Sequence, residues 1–317
     1  MTRLRISLLL LAGALVLGVL LARGWFPAPT EPGYRVAGVW GGTGAKAGRF
    51  DGPIGIGIAG GEVFVSDSRN GRIQVFNLSG TFLRELPVPG IREGTRGRPM
   101  HLDVTNGKLF VPDYLGDRII VMNLEGKILR TVGRSGRGSG ELDAPSAVAV
   151  DGQGFLWVAD FYNQRVEQLT PEGRFLSQLG TTGKKGVASG RFNYPTDLAF
   201  LADGSLVVAD AYNDRIQVFT PNGDLFIKWG GPFAINIAGK WNGWFRTAIG
   251  LSVGRGDAIF VADMDNNRVQ KFSAAGKFLV AIRAGFDRPT DVAEAPDGTL
   301  YVVDFGHDRV VRLTPAS

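Results

Sequence analysis

One imidazole and two carboxylates in this 317-residue chain are of the types that hold a divalent metal ion. His101, Asp197 and Asp291 each stand two residues beyond a proline that opens a short strand in a repeated unit. Such ligands can bind an ion and leave positions open for water or substrate. The same groups could instead cap local turns or bond water in a channel. The one cofactor that we consider is therefore a divalent metal ion at these three residues.

A second set of side chains could bind an anion or stack on a ring. Arginines occur in the long connections between the repeated units, and aromatic residues follow a recurring aspartate, Phe161 and Phe305 among them. Guanidinium groups pair with anions, and aromatic faces stack on planar groups. The alternative is a solvated rim with ordinary packing between units. The ligand-binding residues that we predict are Arg96, Arg98, Arg134, Arg137, Tyr114, Tyr162 and Tyr212.

The elements that must position these residues come from six copies of a repeat of about 40 to 50 residues. Each copy has a short apolar run rich in valine and aromatic residues, which predicts a strand. An aspartate ends the run, and an arginine follows five residues later. Because every copy has this pair, we expect it to hold loops and not to react. The pairs are Asp67 and Arg72, Asp113 and Arg118, Asp160 and Arg165, Asp210 and Arg215, Asp263 and Arg268, and Asp304 and Arg309.

Turn residues and further short strands flank each apolar run, giving four antiparallel strands per unit. Six units predict an all-β fold, a six-bladed β-propeller with four-stranded antiparallel blades. The sixth unit ends at Pro315 without a fourth strand, whereas residues 34–40 resemble the fourth strand of other units. We therefore predict that the N-terminal strand completes the last blade and closes the ring. Loops from every blade then share one face, and His101, Asp197 and Asp291, from alternate blades, converge on the axis.

An uncharged stretch of 17 residues, 6–22, lies between Arg5 and Arg23. It is short for a membrane span and long for a signal-peptide core. We predict one N-terminal hydrophobic helix within a signal-anchor or transmembrane segment at residues 1–26. A stiff proline-rich linker at 27–33 and the propeller at 34–317 follow. The arginines before the stretch place the propeller outside the cytoplasm, periplasmic or extracellular, or secreted if the segment is cleaved.

The composition excludes several kinds of site. The chain has no cysteine, so disulfides, Cys-ligated metals and thiol nucleophiles are ruled out. Two histidines cannot form a three-histidine zinc site within one chain. The net charge of +5 is mild and the basic residues form no long run. Export also argues against nucleic acid as a partner.

The repeated VxD segment, the asparagine two residues before several of the arginines, and the RIQVF run resemble the NHL repeat. The resemblance covers about residues 34–317. NHL propellers include RNA and protein binders, extracellular sensor domains and a metal-dependent lyase, whose histidines this chain lacks. The resemblance therefore implies the fold without fixing the function.

We predict a membrane-anchored binding or scaffold domain that uses its loop face to bind a protein or an anionic envelope polymer. Sparse catalytic side chains favour this non-enzymatic reading. The alternative is a metal-dependent hydrolase or lyase with its site at the mouth of the central channel.

Overall fold

The structure is a computed structural model that describes residues 26–316. Within that part, 24 strands form six four-stranded antiparallel sheets, which confirms the predicted all-β six-bladed propeller. The hydrophobic helix predicted at the N-terminus lies outside the described residues. Among residues 26–316, no helix has the length and apolar character needed to cross a membrane.

Five of the six blades are runs of four consecutive strands that start at the axis and end at the rim, and the sixth takes its outermost strand from the N-terminal end of the propeller. Blade 1 consists of β2 (Pro53–Ala59), β3 (Glu62–Asp67), β4 (Arg72–Asn77) and β5 (Phe82–Pro87). Blade 2 consists of β6 (Asp103–Thr105), β7 (Lys108–Asp113), β8 (Arg118–Asn123) and β9 (Ile128–Val132). Blade 3 consists of β10 (Pro145–Val150), β11 (Leu156–Asp160), β12 (Arg165–Leu169) and β13 (Phe175–Gly180).

The second half of the ring follows the same order. Blade 4 consists of β14 (Pro195–Phe200), β15 (Leu206–Asp210), β16 (Arg215–Phe219) and β17 (Leu225–Trp229). Blade 5 consists of β18 (Ala248–Val253), β19 (Ile259–Asp263), β20 (Arg268–Phe272) and β21 (Phe278–Ile282). Blade 6 consists of β22 (Pro289–Glu294), β23 (Leu300–Asp304), β24 (Arg309–Pro315) and the N-terminal β1 (Tyr34–Gly41).

The ring closes through β1, as the sequence predicts. It pairs antiparallel with β24, from Tyr34 opposite Pro315 to Gly41 opposite Arg309. Trp40 of this strand also packs on Phe76 of blade 1. The closing strand therefore joins the last blade to the first and covers an edge that would otherwise be open.

The core is distributed around the ring and not gathered at one centre. In the described residues six apolar clusters each lie between two neighbouring blades. Branched residues of the second and third strands supply most of each cluster, because both faces of those strands are covered by other blades. The result is a rigid frame that holds loops at fixed positions.

The recurring aspartate and arginine hold those loops, which confirms their structural role. In blade 4, Arg215 Nε donates to Asp210 Oδ2 over 2.7 Å. The second carboxylate oxygen accepts the backbone N–H of Asn193 at 2.7 Å. The other guanidinium nitrogens donate to loop carbonyls, including that of Arg191. The same Asp–Arg bond recurs in all six blades at 2.6–3.1 Å.

The proline-rich segment 27–33 lies against blade 5. The Thr30 N–H donates to the Leu279 carbonyl at 2.8 Å. Lys271 Nζ lies 2.6 Å from Glu31 Oε2. Because the segment makes these contacts, it is a docked strap and not a freely swinging tether.

Candidate functional site

The innermost segments of blades 2, 4 and 6 each turn one polar side chain toward the axis. In blades 4 and 6 the pairing register shifts between Pro195 and Asp197 and between Pro289 and Asp291. A bulge of this kind leaves one residue unpaired and re-aims its neighbour. In blade 2 the strand is interrupted, because the His101 N–H donates to the Ser146 carbonyl of blade 3 at 3.1 Å. These irregularities bring His101, Asp197 and Asp291 together.

The three side chains meet at the axis, as predicted from their places in alternate blades. His101 Nδ1 lies 3.5 Å from Asp197 Oδ2 and 3.4 Å from Asp291 Oδ2. One ligand atom from each residue lies within 4.8 Å of the others, and all three residues are buried. His101 Nδ1 makes no hydrogen bond at these distances, and the two contacts are ion pairs when the imidazole is protonated. We call this group the axial triad.

Backbone amides hold both carboxylates of the triad. Asp197 Oδ1 accepts the N–H of Leu198 at 2.8 Å, and Oδ2 accepts that of Leu251 at 2.7 Å. Asp291 is bound in the same way, once by its own strand and once by blade 1. Each carboxylate therefore links its blade to the next, and the oxygens facing His101 are fixed in place.

Two glycines allow the inner strands to approach this closely. A Cβ on Gly250 would lie 2.0 Å from the Thr290 carbonyl oxygen and 3.1 Å from His101 Cε1. A Cβ on Gly55 would lie 2.5 Å from the Met100 carbonyl oxygen. Any larger residue at these places would push the blades apart, so the glycines permit the closed axis.

Burial and the charges of neighbouring groups both shift the pKa values of His101 and Asp197. Burial raises the pKa of Asp197 to about 7, against the opposing charge of His101. Burial by itself would lower the pKa of His101, but the charges of Asp197 and Asp291 outweigh it and the pKa is raised. The two neighbouring carboxyl groups therefore favour the protonated form of the imidazole over the neutral form.

A cavity of about 260 Å³ lies on the loop face, with His101 in its lining. Aromatic side chains form much of its wall, and Met100 and Met264 add apolar surface. Two cations also line it. We call this cavity the loop-face cup. Its aromatic and cationic wall residues are Tyr114, Phe161, Tyr212, Phe305, Arg69 and Arg98.

Three of the four aromatic wall residues, Tyr114, Phe161 and Tyr212, belong to one connected cluster with Tyr162 and Tyr194. The hydroxyl groups of Tyr114 and Tyr162 are hydrogen-bonded at 2.9 Å. Phe161 stacks on Tyr194 with ring centroids 4.6 Å apart, and Tyr194 meets Tyr212 edge-on at 5.0 Å. These contacts fix the rings, so that a bound group would meet a preformed wall.

The predicted ligand-binding residues divide into two groups. Arg98, Tyr114 and Tyr212 line the cup. Tyr162 belongs to the same cluster through its bond to Tyr114. Arg96, Arg134 and Arg137 do not line the cup. Arg96 donates to the Asn70 carbonyl, Arg134 pairs with Glu141, and Arg137 is exposed on the rim.

Sequence reasoning missed Arg69, Tyr194 and Arg288. Arg69 stands two residues after the repeat aspartate, where blades 3 and 4 have tyrosines. Tyr194 and Arg288 directly precede a strand-opening proline, as Arg98 does. The guanidinium of Arg288 lies over the Phe305 ring, 5.2 Å from its centroid. Comparing these two offsets across the repeats would have found all three.

A second cavity, of about 360 Å³, opens on the opposite face and is lined by Asp103, Asp197, Asp291 and Glu294. Burial raises the pKa of Asp103 to about 6. The axial triad therefore separates an aromatic, cationic cup from an acidic mouth.

Comparisons with known proteins agree with this architecture. The NHL repeat family matches at residues 50–76, 142–169 and 192–219. No curated protein matches the sequence.

Solved structures share the fold at low sequence identity. A catalytically inactive virginiamycin B lyase from Staphylococcus aureus, with quinupristin, is 20% identical, covers 83% of this chain and 81% of its own, with a TM-score of 0.59. A streptogramin B lyase is 16% identical over 84% and 94% of the two chains, with a TM-score of 0.60. A protein of unknown function from Bacteroides thetaiotaomicron is 14% identical over 90% and 83%, with a TM-score of 0.65. At these identities the likeness concerns the fold alone.

Proposed function

This chain is a six-bladed β-propeller with NHL repeats, and we propose that it is a binding module held at the outer side of a membrane. Its loop-face cup binds an acidic group carried by a larger ligand, either a protein or an anionic envelope polymer. The frame supplies rigidity and the loops supply recognition, as is usual for loops on a rigid scaffold.

The observation that carries the proposal is that Arg98 lies in the wall of the cup without a carboxylate partner. Its guanidinium lies over the Tyr114 ring, 6.0 Å from the centroid, in the wall of the cup. Among residues 26–316 no carboxylate lies within ion-pair distance of it. A half-buried guanidinium without a protein carboxylate is suited to bind an anion from a ligand, and its planar fork favours carboxylate or phosphate.

The size and lining of the cup define what part of the ligand enters. A volume of about 260 Å³ accommodates one ring or one side chain, and it lies below the roughly 300–1,000 Å³ of pockets that enclose drug-sized molecules. Aromatic walls stack on a sugar ring or another planar group. The cup therefore suits one acidic sugar or acidic residue of a longer chain.

Placement outside the cytoplasm is supported by the sequence of residues 1–26. The uncharged stretch 6–22 follows Arg3 and Arg5, and basic residues stay on the cytoplasmic side. Alkaline phosphatase fused after residue 317 tests this part. We expect an active fusion, and an inactive one would place the propeller in the cytoplasm.

Titration calorimetry with two polyanions, poly-L-glutamate and polygalacturonate, tests binding. We expect saturable binding of at least one of them. Replacing Arg98 by Gln should weaken the binding at least tenfold, about 1.4 kcal/mol, because its guanidinium is free to bind the anion, whereas Arg69, the other cation of the wall, pairs with Asp51. Tyr212→Ala should also weaken it through lost stacking.

Arg134→Gln is the matched control, because this arginine is exposed, lies outside the cup and pairs with Glu141 at 3.1 Å. We expect its affinity to stay within twofold of the natural chain. Equal losses for the Arg98 and Arg134 variants would show diffuse charge attraction and reject the cup, as would the absence of saturable binding.

A second candidate function is metal-dependent hydrolysis or elimination at the axial triad. The N···O separations of 3.4 and 3.5 Å around His101 Nδ1 support it. They resemble the spacing of ligands around one tetrahedral ion with bonds of about 2.0–2.2 Å. The residues therefore fit a divalent ion, with His101, Asp197 and Asp291 as ligands. Such an ion would lower the pKa of a bound water and polarise a substrate oxygen.

The protein's own groups set limits on that chemistry. His101 must lose its proton to bind a metal, and its raised pKa opposes this, so affinity should fall as pH falls. Metal analysis of the full chain after dialysis against Zn²⁺ or Mn²⁺ tests the site. One ion per chain, lost in His101→Ala and Asp197→Ala, would support it. A folded protein that retains no ion at pH 8 would reject it.

A further inference from the structure

Apolar side chains are exposed on the connection between β17 and β18, residues 230–247, which we call the blade-5 loop. Ile235, Ile237 and Trp241 are 40%, 41% and 47% exposed. Phe26 is also 47% exposed and lies against this loop. Large apolar groups that are exposed together mark a site of contact with a protein or a membrane.

The loop has a defined conformation. Phe233, Ala234 and Asn236 all have positive φ angles, 57°, 49° and 68°. Residues other than glycine seldom adopt this conformation. The backbone is thus sharply turned at a place where it presents isoleucine and tryptophan outward.

The chain enters the propeller at this loop. The Phe26 ring meets Trp241 edge-on at 5.3 Å and stacks on Trp244 at 5.9 Å. Asn242 Nδ2 donates to the Pro27 carbonyl at 3.0 Å. Residues 23–25 alone separate these contacts from the uncharged stretch 6–22.

Chain length limits how far the loop can lie from that stretch. Four residue steps join residue 22 to Phe26, and they extend at most about 14 Å. The headgroup layer beyond the hydrocarbon is about 5–8 Å thick on each side. If residues 6–22 span a bilayer, Phe26 and the tryptophans packed on it lie in or beside the headgroups.

The strap contacts prevent the propeller from moving away from this position. The bonds of Thr30 to Leu279 and of Glu31 to Lys271 fix residues 27–33 on blade 5. The limit on the distance between Phe26 and the membrane therefore also limits the distance between the rim of blade 5 and the membrane.

Charge around the loop agrees with a lipid surface. Lys240 is exposed on the loop itself, and Lys277 is exposed beside it and lines the same groove as Phe26. Lysines at a membrane surface are attracted to anionic lipids, and tryptophan favours the interface.

From these observations we propose that the blade-5 loop is a second membrane contact. Ile235, Ile237 and Trp241 insert among the headgroups beside the N-terminal segment and fix the orientation of the propeller on the bilayer. This inference rests on the anchoring part of the proposed function and is independent of what the cup binds.

The chain has no cysteine, so a single label can be introduced cleanly. The full chain is reconstituted in vesicles of phosphatidylcholine and phosphatidylglycerol with a bimane label at Ile237→Cys. Ile128→Cys is the matched control, because Ile128 is the same residue type, is also 41% exposed, and lies in blade 2 on the opposite side of the ring. Quenching by nitroxide lipids is then compared, and unfolding curves show that both variants fold.

We expect the label at 237 to be quenched at least threefold more than the label at 128. If the protein floats with the vesicles but the labels at 237 and 128 are quenched equally, the N-terminal anchor stands and the proposed membrane contact of the blade-5 loop is overturned. Failure of the protein to float would reject the anchor and with it this inference. Disulfide-linked dimers through Cys at 237, without quenching, would assign the loop to a second copy and also overturn the proposal.

Discussion

Several carboxyl groups of this protein are buried deeply enough to hold protons near neutral pH. Burial is the largest cause in each case, and it raises the pKa of Asp197 and Glu167 to about 7. The same effect raises the pKa of four further aspartates to about 6, namely Asp103, Asp160, Asp210 and Asp263.

In the unfolded chain these carboxyl groups have ordinary pKa values near 4. Between about pH 4 and 7 the folded state therefore binds more protons, and stability falls as pH rises. His101 acts in the same direction, because its pKa is higher in the folded protein than in the unfolded chain. Its contribution to stability is complete below the pKa of the unfolded chain and is lost as the pH rises through the pKa of the folded protein.

The free energy of unfolding should consequently be lower at pH 8 than at pH 5. In Asp197→Asn the difference in the free energy of unfolding between pH 5 and pH 8 should be smaller by about 1 kcal/mol or more than in the natural chain. The reason is that one group with a shifted pKa is removed and His101 loses a charge partner. Urea unfolding at both pH values measures it.

Asp224→Asn, on an exposed turn, is the control and should keep the decrease of the natural chain. If Asp197→Asn showed the same difference in the free energy of unfolding between pH 5 and pH 8 as the natural chain, the triad would not titrate in this range. A lower overall stability of that variant is expected in any case, since its amide meets the Leu251 N–H.

The six repeat arginines differ in burial, and this gives a paired test. Arg215 is fully buried and its guanidinium makes five hydrogen bonds. Arg309 is 28% exposed and makes two. Arg215→Gln should lower the free energy of unfolding by about 3–5 kcal/mol, and Arg309→Gln by about 2 kcal/mol or less. Denaturant midpoints of the two variants measure the difference. Equal losses would show that burial does not set the contribution of the pair.

At the scale of elements, the closing strand is held by side chains as well as by its ladder. Trp40 lies between Phe76 of blade 1 and Tyr301 of blade 6, 5.9 Å from each ring. Its neighbour Val39 points outward and is 49% exposed. The tryptophan thus joins two blades across the closure, whereas the valine contributes little beyond its strand conformation.

Trp40→Ala should lower the free energy of unfolding by about 2–4 kcal/mol, because it removes a half-buried aromatic contact between blades. Val39→Thr, which keeps the branched side chain, should stay within about 0.5 kcal/mol. Circular dichroism is the suitable probe, since fluorescence changes with the loss of a tryptophan. A similar effect of both substitutions would indicate that the ladder alone holds the strand.

The sequence predicted the blades, the closing strand and the meeting of His101, Asp197 and Asp291, because all three follow from fixed offsets within a repeat. It did not predict that Arg96 and Arg134 lie outside the cup. Position within a long loop does not determine which way a side chain points, and local partners such as Glu141 decide it. The docking of residues 27–33 on blade 5 depends on contacts more than 200 residues apart, as in the 240 that separate Glu31 from Lys271. The anchor predicted at residues 1–26 and metal binding stay predictions.

At the scale of the whole molecule, the propeller is a ring whose covalent opening lies inside blade 6. Because β1 is bound to β24 only by pairing and packing, its attachment to the chain can be changed without changing the ring. A permuted chain can begin at residue 42 and carry residues 34–41 after residue 316, joined by a short glycine-containing turn. It should unfold cooperatively, with a midpoint near that of residues 26–316.

The same chain without residues 34–41 is the control and should aggregate, since it exposes the edge of β24. Calorimetry and size-exclusion chromatography measure both. A permuted chain that fails to fold while the truncated chain is soluble and cooperative would contradict closure by β1.

The strap on blade 5 has a mechanical consequence. Tyr34 and Pro315 are paired, so both strands of the closure leave the ring at the same end, and a pull on the N-terminal side would peel their hydrogen bonds one after another. If residues 1–26 anchor the chain as proposed, a force from the membrane would first reach Phe26, Thr30 and Glu31, which are bound to blade 5. Residues 27–33 would then transfer the tension to blade 5, whose four strands are covalently consecutive, before it reached the pairing of β1 with β24.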